Sequence, residues 1–170
     1  MIDFMCRLES SDCLSQMHNK LRLHIDGEEK LPVNSEPSVF CFGLMASALA
    51  DEGSQLVEAL WREMQASGNI EYRLRIIKSI GCYRNKKVLF DLLETILATT
   101  AEVRYLSGES FSIIQSVYST STEGVEAAIE FMIEYQNDAV RRSQRSDLVE
   151  VLLAELPRRI FGEETFEKVS

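Results

Sequence analysis

The residues of this sequence whose side chains most readily bind metals or react are four cysteines and two histidines. Cys6 and Cys13 lie close together, whereas Cys41 and Cys82 are far from them and from each other. No Cys-x-x-Cys pair occurs and both histidines fall elsewhere, so a zinc knuckle is not predicted. The even count fits either two disulfides in an oxidising compartment or four buried free thiols. Composition does not choose between these two states.

Catalytic motifs that depend on a fixed spacing do not occur in the sequence. His18 and His24 are predicted to lie on one helix, where their spacing of six residues places the two side chains about 120° apart around the helix axis and so on different faces. They are therefore not paired metal ligands. The His-Glu-x-x-His zinc signature, the Gly-x-Ser-x-Gly turn and the Walker loop are absent. We predict no catalytic residue, no metal site and no cofactor in this chain, and the sequence identifies no substrate-binding residue.

Carboxylates are abundant, but abundance does not place two of them in one cleft. Those on the predicted helices fall on the polar sides, where a carboxylate is normally solvated. They are Glu58, Glu63, Glu94, Glu126 and Glu130. Trp61 lies among the apolar residues Val57, Leu60 and Met64, so we predict a core side chain and not a ligand-stacking platform.

The elements that would position these side chains are helices. In the clearest stretch, Tyr72 to Leu93, Leu74, Ile77 and Ile80 share one helical face, and Gly81 ends the helix before a second apolar run. This pattern predicts a helical hairpin. No segment alternates apolar and polar residues between hairpin turns, so the chain is predicted to be all-α.

Glycine, proline and short polar residues divide the rest of the chain into further helices. Residues 1–25 are predicted to be helical with a break at 9–12, and residues 26–36 to form a linker. Ser35 is predicted to cap the next helix, with Pro37 in its first turn. Later helices are predicted over about 103–118, 123–135 and 146–156, the last ending before Pro157, and another near Gly162.

Helix pairs are predicted to begin near residues 36, 70, 103 and 145, and the first intervals are typical of paired-helix repeats. We therefore predict one helical domain over 1–170, with an N-terminal helix and linker in 1–35 and about four helix pairs in 36–170. The predicted architecture is an irregular α-solenoid of HEAT-like helix pairs. A closed helical bundle is the alternative.

The chain is acidic, with 18 Lys and Arg against 27 Asp and Glu and a formal net charge of -9. Duplex nucleic acid and an anionic membrane surface are therefore poor partners. Local basic clusters at Arg84–Lys87 and Arg141–Arg145 have no interleaved aromatics and are predicted to be solvated turns. No stretch approaches the roughly 20 apolar residues of a membrane span, and no signal peptide is recognised. If the cysteines are bridged, we expect a piece of a longer secreted protein.

An ordered series of short motifs resembles a known family. The series is Cys6-Arg-Leu with Asp12-Cys13-Leu14, Phe40-Cys41, Leu60-Trp61, Ile80-Gly81-Cys82, Ser116-Val-Tyr-Ser with Glu123-Gly124-Val125, and Arg158-Arg159 with Phe161. It is similar to the C-terminal, endoplasmic-reticulum-aminopeptidase-like domain of zinc aminopeptidases of the aminopeptidase N type. Residues 103–107 keep only the arginine of that family's usual Ile-Arg-Lys-Gln-Asp run, so the chain resembles a divergent member.

The resemblance implies two disulfides, Cys6 with Cys13 and Cys41 with Cys82. It also implies a non-catalytic domain that caps the catalytic cleft of a cell-surface aminopeptidase and shapes its peptide-substrate chamber. Zinc would be bound in an earlier domain of that parent, whose catalytic domain and peptide substrates are the expected partners. The expected location is the secretory pathway or the cell surface, with no membrane insertion by this segment. The alternative is a stand-alone HEAT-like protein-interaction scaffold.

Overall fold

The structure is a computed structural model that describes residues 2–48, 53–98, 107–137, 150 and 152–157. Within these ranges the regular elements are helices and there is no strand, which confirms the all-α prediction for the described part of the chain. The helices are α1 (Ile2–Arg7), α2 (Ser11–Ile25), α3 (Glu36–Ser47), α4 (Gly53–Ala66), α5 (Ile70–Ile80), α6 (Lys86–Ala98), α7 (Ser107–Thr120) and α8 (Thr122–Asn137). Residues 152–157 are also helical.

The chain divides into two compact units, Met1–Arg84 and Asn85–Ser170. The first unit contains α1 to α5 and the second contains α6 to α8. The division falls in the basic turn of the predicted hairpin, and both of the helices predicted there are present, as α5 and α6. A single domain over 1–170 stays a prediction.

The core of the first unit is built from the apolar faces of α2 to α5. Its fully buried side chains recur at helical spacing and are Leu21, Phe40, Leu44, Leu60, Met64, Ile76, Ile77 and Ile80. Helices α2 and α3 approach each other closely at Gly43, where a β-carbon would lie 2.8 Å from Leu21 Cβ. Only glycine permits this approach without displacing the neighbouring helix.

Two asparagines and one proline define the starts of helices. The side chain of Asn69 accepts a hydrogen bond from the Tyr72 amide at 3.1 Å, which caps α5. Asn85 accepts from the Val88 amide at 3.2 Å in the same way at the start of α6. Pro37 lies in the first turn of α3, as predicted, where its missing N–H costs nothing.

The predicted capping role of Ser35 is wrong. Ser35 does precede α3, but its hydroxyl donates to the Pro32 carbonyl at 2.8 Å and makes no capping hydrogen bond to the helix. The reason is local backbone geometry: a capping residue is normally extended, whereas Ser35 has φ -98° and ψ -17°. The linker therefore turns into α3 through Pro32 and Ser35 together.

The first two helices end in the same way, each followed by a residue in the left-handed region. These residues are Glu9 (φ 57°) after α1 and Gly27 (φ 76°) after α2. After α2, the Gly27 amide donates to the His24 carbonyl at 3.0 Å and the next amide donates to the Leu23 carbonyl at 2.8 Å. This is the common glycine-terminated helix end, and it folds the linker back onto His24.

The core of the second unit follows the same helical spacing in α6, α7 and α8. Its most deeply buried side chains are Leu89, Leu93, Ile96, Ile113, Val117, Ala127, Ala128 and Phe131. Phe90 packs edge to face against Phe131, with ring centroids 6.0 Å apart. At the start of α8, a β-carbon on Gly124 would overlap the Val117 carbonyl oxygen, so glycine lets α7 and α8 meet there.

Two further sequence-based predictions need correction, and several lie outside the described residues. Trp61 is half-buried and not a core side chain, because Val57, Leu60 and Met64 occupy the buried face of α4 and position 61 lies on its flank. The helix at 152–157 includes Pro157, one residue beyond the predicted end. The predictions for residues 103–106, 141–145 and 158–162 fall outside the described part of the chain.

Candidate functional site

The four cysteines form two disulfides within the first unit. Cys6 in α1 is bonded to Cys13 in α2, with the Cα atoms 5.2 Å apart. Cys41 in α3 is bonded to Cys82, just after α5, with the Cα atoms 5.1 Å apart. Both pairs are those that the family resemblance implies. They tie α1 to α2 and α3 to the end of α5.

A chain of three polar side chains from three helices lies in the same unit. The Tyr72 hydroxyl of α5 donates a hydrogen bond to Oε1 of Glu63 in α4 at 2.8 Å. His24 of α2 places Nε2 3.1 Å from the same hydroxyl oxygen and 3.8 Å from Oε1 of Glu63. The other ring nitrogen of His24, Nδ1, lies 3.3 Å from the carbonyl oxygen of Glu29.

A buried ion pair continues this group of side chains toward α3. Arg75 donates through Nε to Oε2 of Glu36 at 2.6 Å. The Arg75 guanidinium also lies over the Tyr72 ring, 5.7 Å from its centroid, in a cation–π contact. We call His24, Glu36, Glu63, Tyr72 and Arg75 the polar cluster. It joins α2, α3, α4 and α5 around the ring of Phe40, which packs at a tilt against His24 and edge to face against Tyr72.

The electrostatics of the polar cluster keep its phenol protonated. Burial raises the pKa of Tyr72 far above its ordinary value, and the hydrogen bond to the Glu63 carboxylate raises it further. Tyr72 is therefore a hydrogen-bond donor to Glu63 and neither a general base nor an activated nucleophile at neutral pH. The polar cluster can hold α2, α3, α4 and α5 together, but it contains no activated nucleophile that could attack a substrate.

Metal-binding geometry can be assessed only for the residues that the structure describes. Among them, no group of three or more His, Cys, Asp or Glu side chains is arranged to hold an ion. The cysteines are engaged in disulfides. Nε2 of His18 is buried without a hydrogen-bond partner, whereas each ring nitrogen of His24 lies within hydrogen-bond distance of an oxygen. Over the same ranges, no helix is both long and apolar enough to cross a bilayer.

The charged residues singled out in the sequence are more engaged than predicted. Glu63, expected on a solvated face, accepts from Tyr72, while Glu58 and Glu126 are exposed as expected. In the basic turn, Arg84 pairs with Glu9 and Lys86 pairs with Glu130 at 2.9 Å. Arg84, Lys86 and Lys87 are nevertheless exposed, which confirms the prediction that this turn is solvated, and the ion pairs lie at the surface.

Sequence reasoning missed the polar cluster. The sequence pattern predicts that Glu36 belongs to the linker 26–36, yet it is buried at the first position of α3. Tyr72 and Arg75, three residues apart, share one face of α5, and that spacing is the one local signal of the cluster. Nothing in the sequence pairs them with His24 or Glu36, which lie on other helices.

These observations define a helical unit, Met1–Arg84, that is cross-linked by two disulfides and contains a partly buried polar cluster. The chain belongs to the ERAP1-like C-terminal domain family, whose model matches residues 1–170. This match confirms the resemblance to an aminopeptidase C-terminal domain and spans the whole sequence. Among curated proteins, none matches the chain.

Proposed function

We propose that this chain is the non-catalytic C-terminal domain of a zinc aminopeptidase, where it caps the catalytic cleft and shapes the chamber that holds peptide substrates. The observation that carries the proposal is the family match over residues 1–170. In this proposal zinc is held by the parent's catalytic domain, which is also the partner of this chain. The polar cluster fits the role because it fixes helices and contains no activated nucleophile.

The proposed architecture is an irregular HEAT-like solenoid of helix pairs that forms one domain. Packing inside each unit supports it, because helices contact both the next helix and the next but one. In the first unit α3 packs on α2 and on α5, and in the second α8 packs on α7 and on α6. A helix that contacts its neighbours in sequence and little else is typical of stacked repeats.

The proposed location is the secretory pathway or the cell surface. Two disulfides in a domain of this size support an oxidising compartment, since cytosolic thiols are normally kept reduced. The Cys41–Cys82 disulfide also braces α3 against the end of α5, which would preserve the shape of a chamber wall outside the cell.

Association with the parent tests the proposed partner. We would express the parent protein without residues 1–170, express this chain separately, and measure their association by sedimentation after verifying both by circular dichroism. The proposal predicts a stable complex of the two folded proteins. Two folded proteins that sediment independently would contradict it.

The alternative is a stand-alone HEAT-like scaffold that binds a protein partner. The two proposals differ in the gene that encodes the chain. A His-Glu-x-x-His segment upstream in the same reading frame supports the aminopeptidase, and translation that initiates at Met1 supports the scaffold.

A further inference from the structure

Helix α1 carries apolar side chains on two opposite sides. On one side Cys6 is fully buried and bonded to Cys13 of α2. Phe4 and Leu8 lie on the other side, because two residues correspond to about 200° around a helix axis. Both are 63% exposed, and Met5 beside them is exposed as well. The Leu8 amide donates to the Phe4 carbonyl at 3.1 Å, so these two side chains lie one helical turn apart. We call Phe4, Met5 and Leu8 the α1 patch.

The α1 patch belongs to a helix whose end is well defined. Glu9 follows α1 in the left-handed region, with φ 57°, and its amide donates to the Cys6 carbonyl at 3.0 Å. The Ser10 amide donates to the Met5 carbonyl at 3.2 Å, which completes the Schellman pattern of a helix end. The disulfide ties α1 to α2, and Arg84 pairs with Glu9 at the surface. The patch is therefore held in one orientation.

The composition of α1 is that of a helix covered on both sides. A helix with one apolar side buries that side, whereas a helix that is apolar all round is normally enclosed. Several large apolar side chains exposed together mark a surface that packs against another element. A single exposed apolar residue such as Val33, in the linker, has no such meaning. In the proposed solenoid the outer side of a terminal repeat would be polar, so α1 does not have the surface of a terminal helix.

The packing order within the first unit indicates what covers the α1 patch. Each helix packs on the next in sequence: α1 on α2, α2 on α3, α3 on α4 and α4 on α5. By the same rule a helix that precedes α1 would pack on α1, and its side away from α2 is the side left exposed. A second copy of the chain is a poorer occupant, because two chains with a formal net charge of -9 repel each other.

We propose that the α1 patch packs against an amphipathic helix of the same polypeptide that precedes residue 1, so that the helical domain continues upstream of this chain. The inference rests on the proposed function, in which these residues belong to a longer parent. The covering helix presents apolar residues at spacings of three and four toward the patch. It belongs to a helix pair of about 33 to 47 residues, the usual length of such repeats.

Photo-crosslinking in the full-length parent tests the occupant directly. Phe4→p-benzoylphenylalanine should form a cross-link that mass spectrometry locates within the roughly 50 residues before residue 1, about one helix pair. Lys87→p-benzoylphenylalanine is the control, since that side chain is 81% exposed, and it should give no cross-link to this segment. A cross-link from position 4 to the catalytic domain alone, a cross-link to a second copy, or none at all would overturn the inference.

Hydrogen exchange of the α1 amides provides a second readout. Phe4→Gln with Leu8→Gln keeps good helix formers but removes the apolar surface. In the parent this double variant should lower the amide protection of α1 severalfold, whereas in the 170-residue chain, where the patch is uncovered, it should leave the protection unchanged. Val33→Gln should change neither protein. An equal effect of the double variant in the parent and in the 170-residue chain would refute the inference.

Failure of this inference can be distinguished from failure of the proposed function. Neither cross-linking nor hydrogen exchange depends on enzyme activity. A missing cross-link in a parent that cleaves aminoacyl-anilides would overturn the inference and leave the proposed function intact. The expected cross-link in a parent without aminopeptidase activity would support the inference and contradict the proposed function.

Discussion

Arg75 of α5 and Glu36 of α3 form an ion pair that is largely removed from solvent, with Nε and Oε2 2.6 Å apart and side chains 18% and 8% exposed. A pair of this kind offsets the desolvation of both charges only while both partners are present. It joins two helices that are also linked by the disulfide between Cys41, in the middle of α3, and Cys82, just after α5. The pair and the disulfide therefore fix the same α3–α5 contact by two independent means.

Removing one partner of this ion pair should destabilise the first unit. We expect Glu36→Gln to lower the free energy of unfolding by about 3 kcal/mol, because it leaves the Arg75 charge buried without a carboxylate. Urea unfolding measures the change. The double variant Glu36→Leu with Arg75→Met should cost less than the single one. As a control, Lys87→Ala breaks the exposed pair with Asp91 and should cost about 0.5 kcal/mol or less. An equal cost for the control and Glu36→Gln would contradict the buried pair.

The close contact of α7 and α8 predicts that Gly124→Ala is strongly destabilising. The new β-carbon would overlap the Val117 carbonyl oxygen, which is backbone and cannot move aside cheaply. We expect a loss of about 3 kcal/mol or more in unfolding free energy, measured by thermal or urea denaturation. Gly68→Ala is the matched control, since a β-carbon there meets nothing within 4 Å. A Gly124→Ala protein as stable as wild type would show that the two helices do not meet at this point.

The two disulfides should differ in their contribution to stability. In the chain-entropy model, closing the longer loop between Cys41 and Cys82 stabilises by about 4 kcal/mol, and the short loop between Cys6 and Cys13 by about 2.5 kcal/mol. Cys41→Ser should therefore lower the melting temperature more than Cys6→Ser. Mass spectrometry of unreduced peptides checks the pairing in protein made in an oxidising compartment. Four free thiols, or Cys6 bonded to Cys41, would contradict both the pairing and the proposed location.

The exposed pair between Arg84 and Glu9 predicts a local pH dependence. The hydrogen bond from Arg84, followed by its positive charge, lowers the pKa of Glu9 below its ordinary value. Since the folded-state pKa is the lower one, any stabilisation from this pair is present above the ordinary pKa and is lost as the pH falls through the folded pKa. Arg84→Gln should return the pKa of Glu9 to its ordinary range, as followed by carboxyl NMR, and high salt should act in the same direction. If Arg84→Gln left the titration curve of Glu9 unchanged, the Arg84–Glu9 ion pair would be contradicted.

The helices could be predicted from the sequence because their determinants are local. Apolar spacing predicts α2 to α8. The polar break after α1 and the glycine after α5 are residues that end helices, so both helix ends could also be predicted. Apolar spacing predicts Trp61 on the buried face of α4, whereas it lies half-buried on the flank, next to the buried Leu60. The spacing of apolar residues locates a buried helix face only to within about one position. Ser35 does not cap α3 because its backbone is not extended, and its hydroxyl instead donates to the Pro32 carbonyl; residue type alone does not reveal this backbone conformation.

The polar cluster could not be predicted because its determinants are tertiary. His24 and Tyr72, like Glu36 and Arg75, lie on helices far apart in the sequence and meet only after α2, α3, α4 and α5 pack. A buried carboxylate such as Glu36 has the same appearance in a sequence as a solvated one. The polar contacts of this chain therefore depend on which helix faces meet, whereas its secondary structure depends on local sequence.

The central proposal is that this domain caps an aminopeptidase cleft, and the most direct test is substrate selectivity. We would measure kcat/KM of the parent enzyme for a long peptide and for a single aminoacyl-anilide, first intact, then without residues 1–170, then with the purified chain added back. If the domain forms the chamber, the truncated enzyme should keep activity on the anilide, lose kcat/KM for the long peptide relative to the anilide, and recover that ratio on addition of the chain. The same ratio of kcat/KM values in all three samples would contradict the proposal.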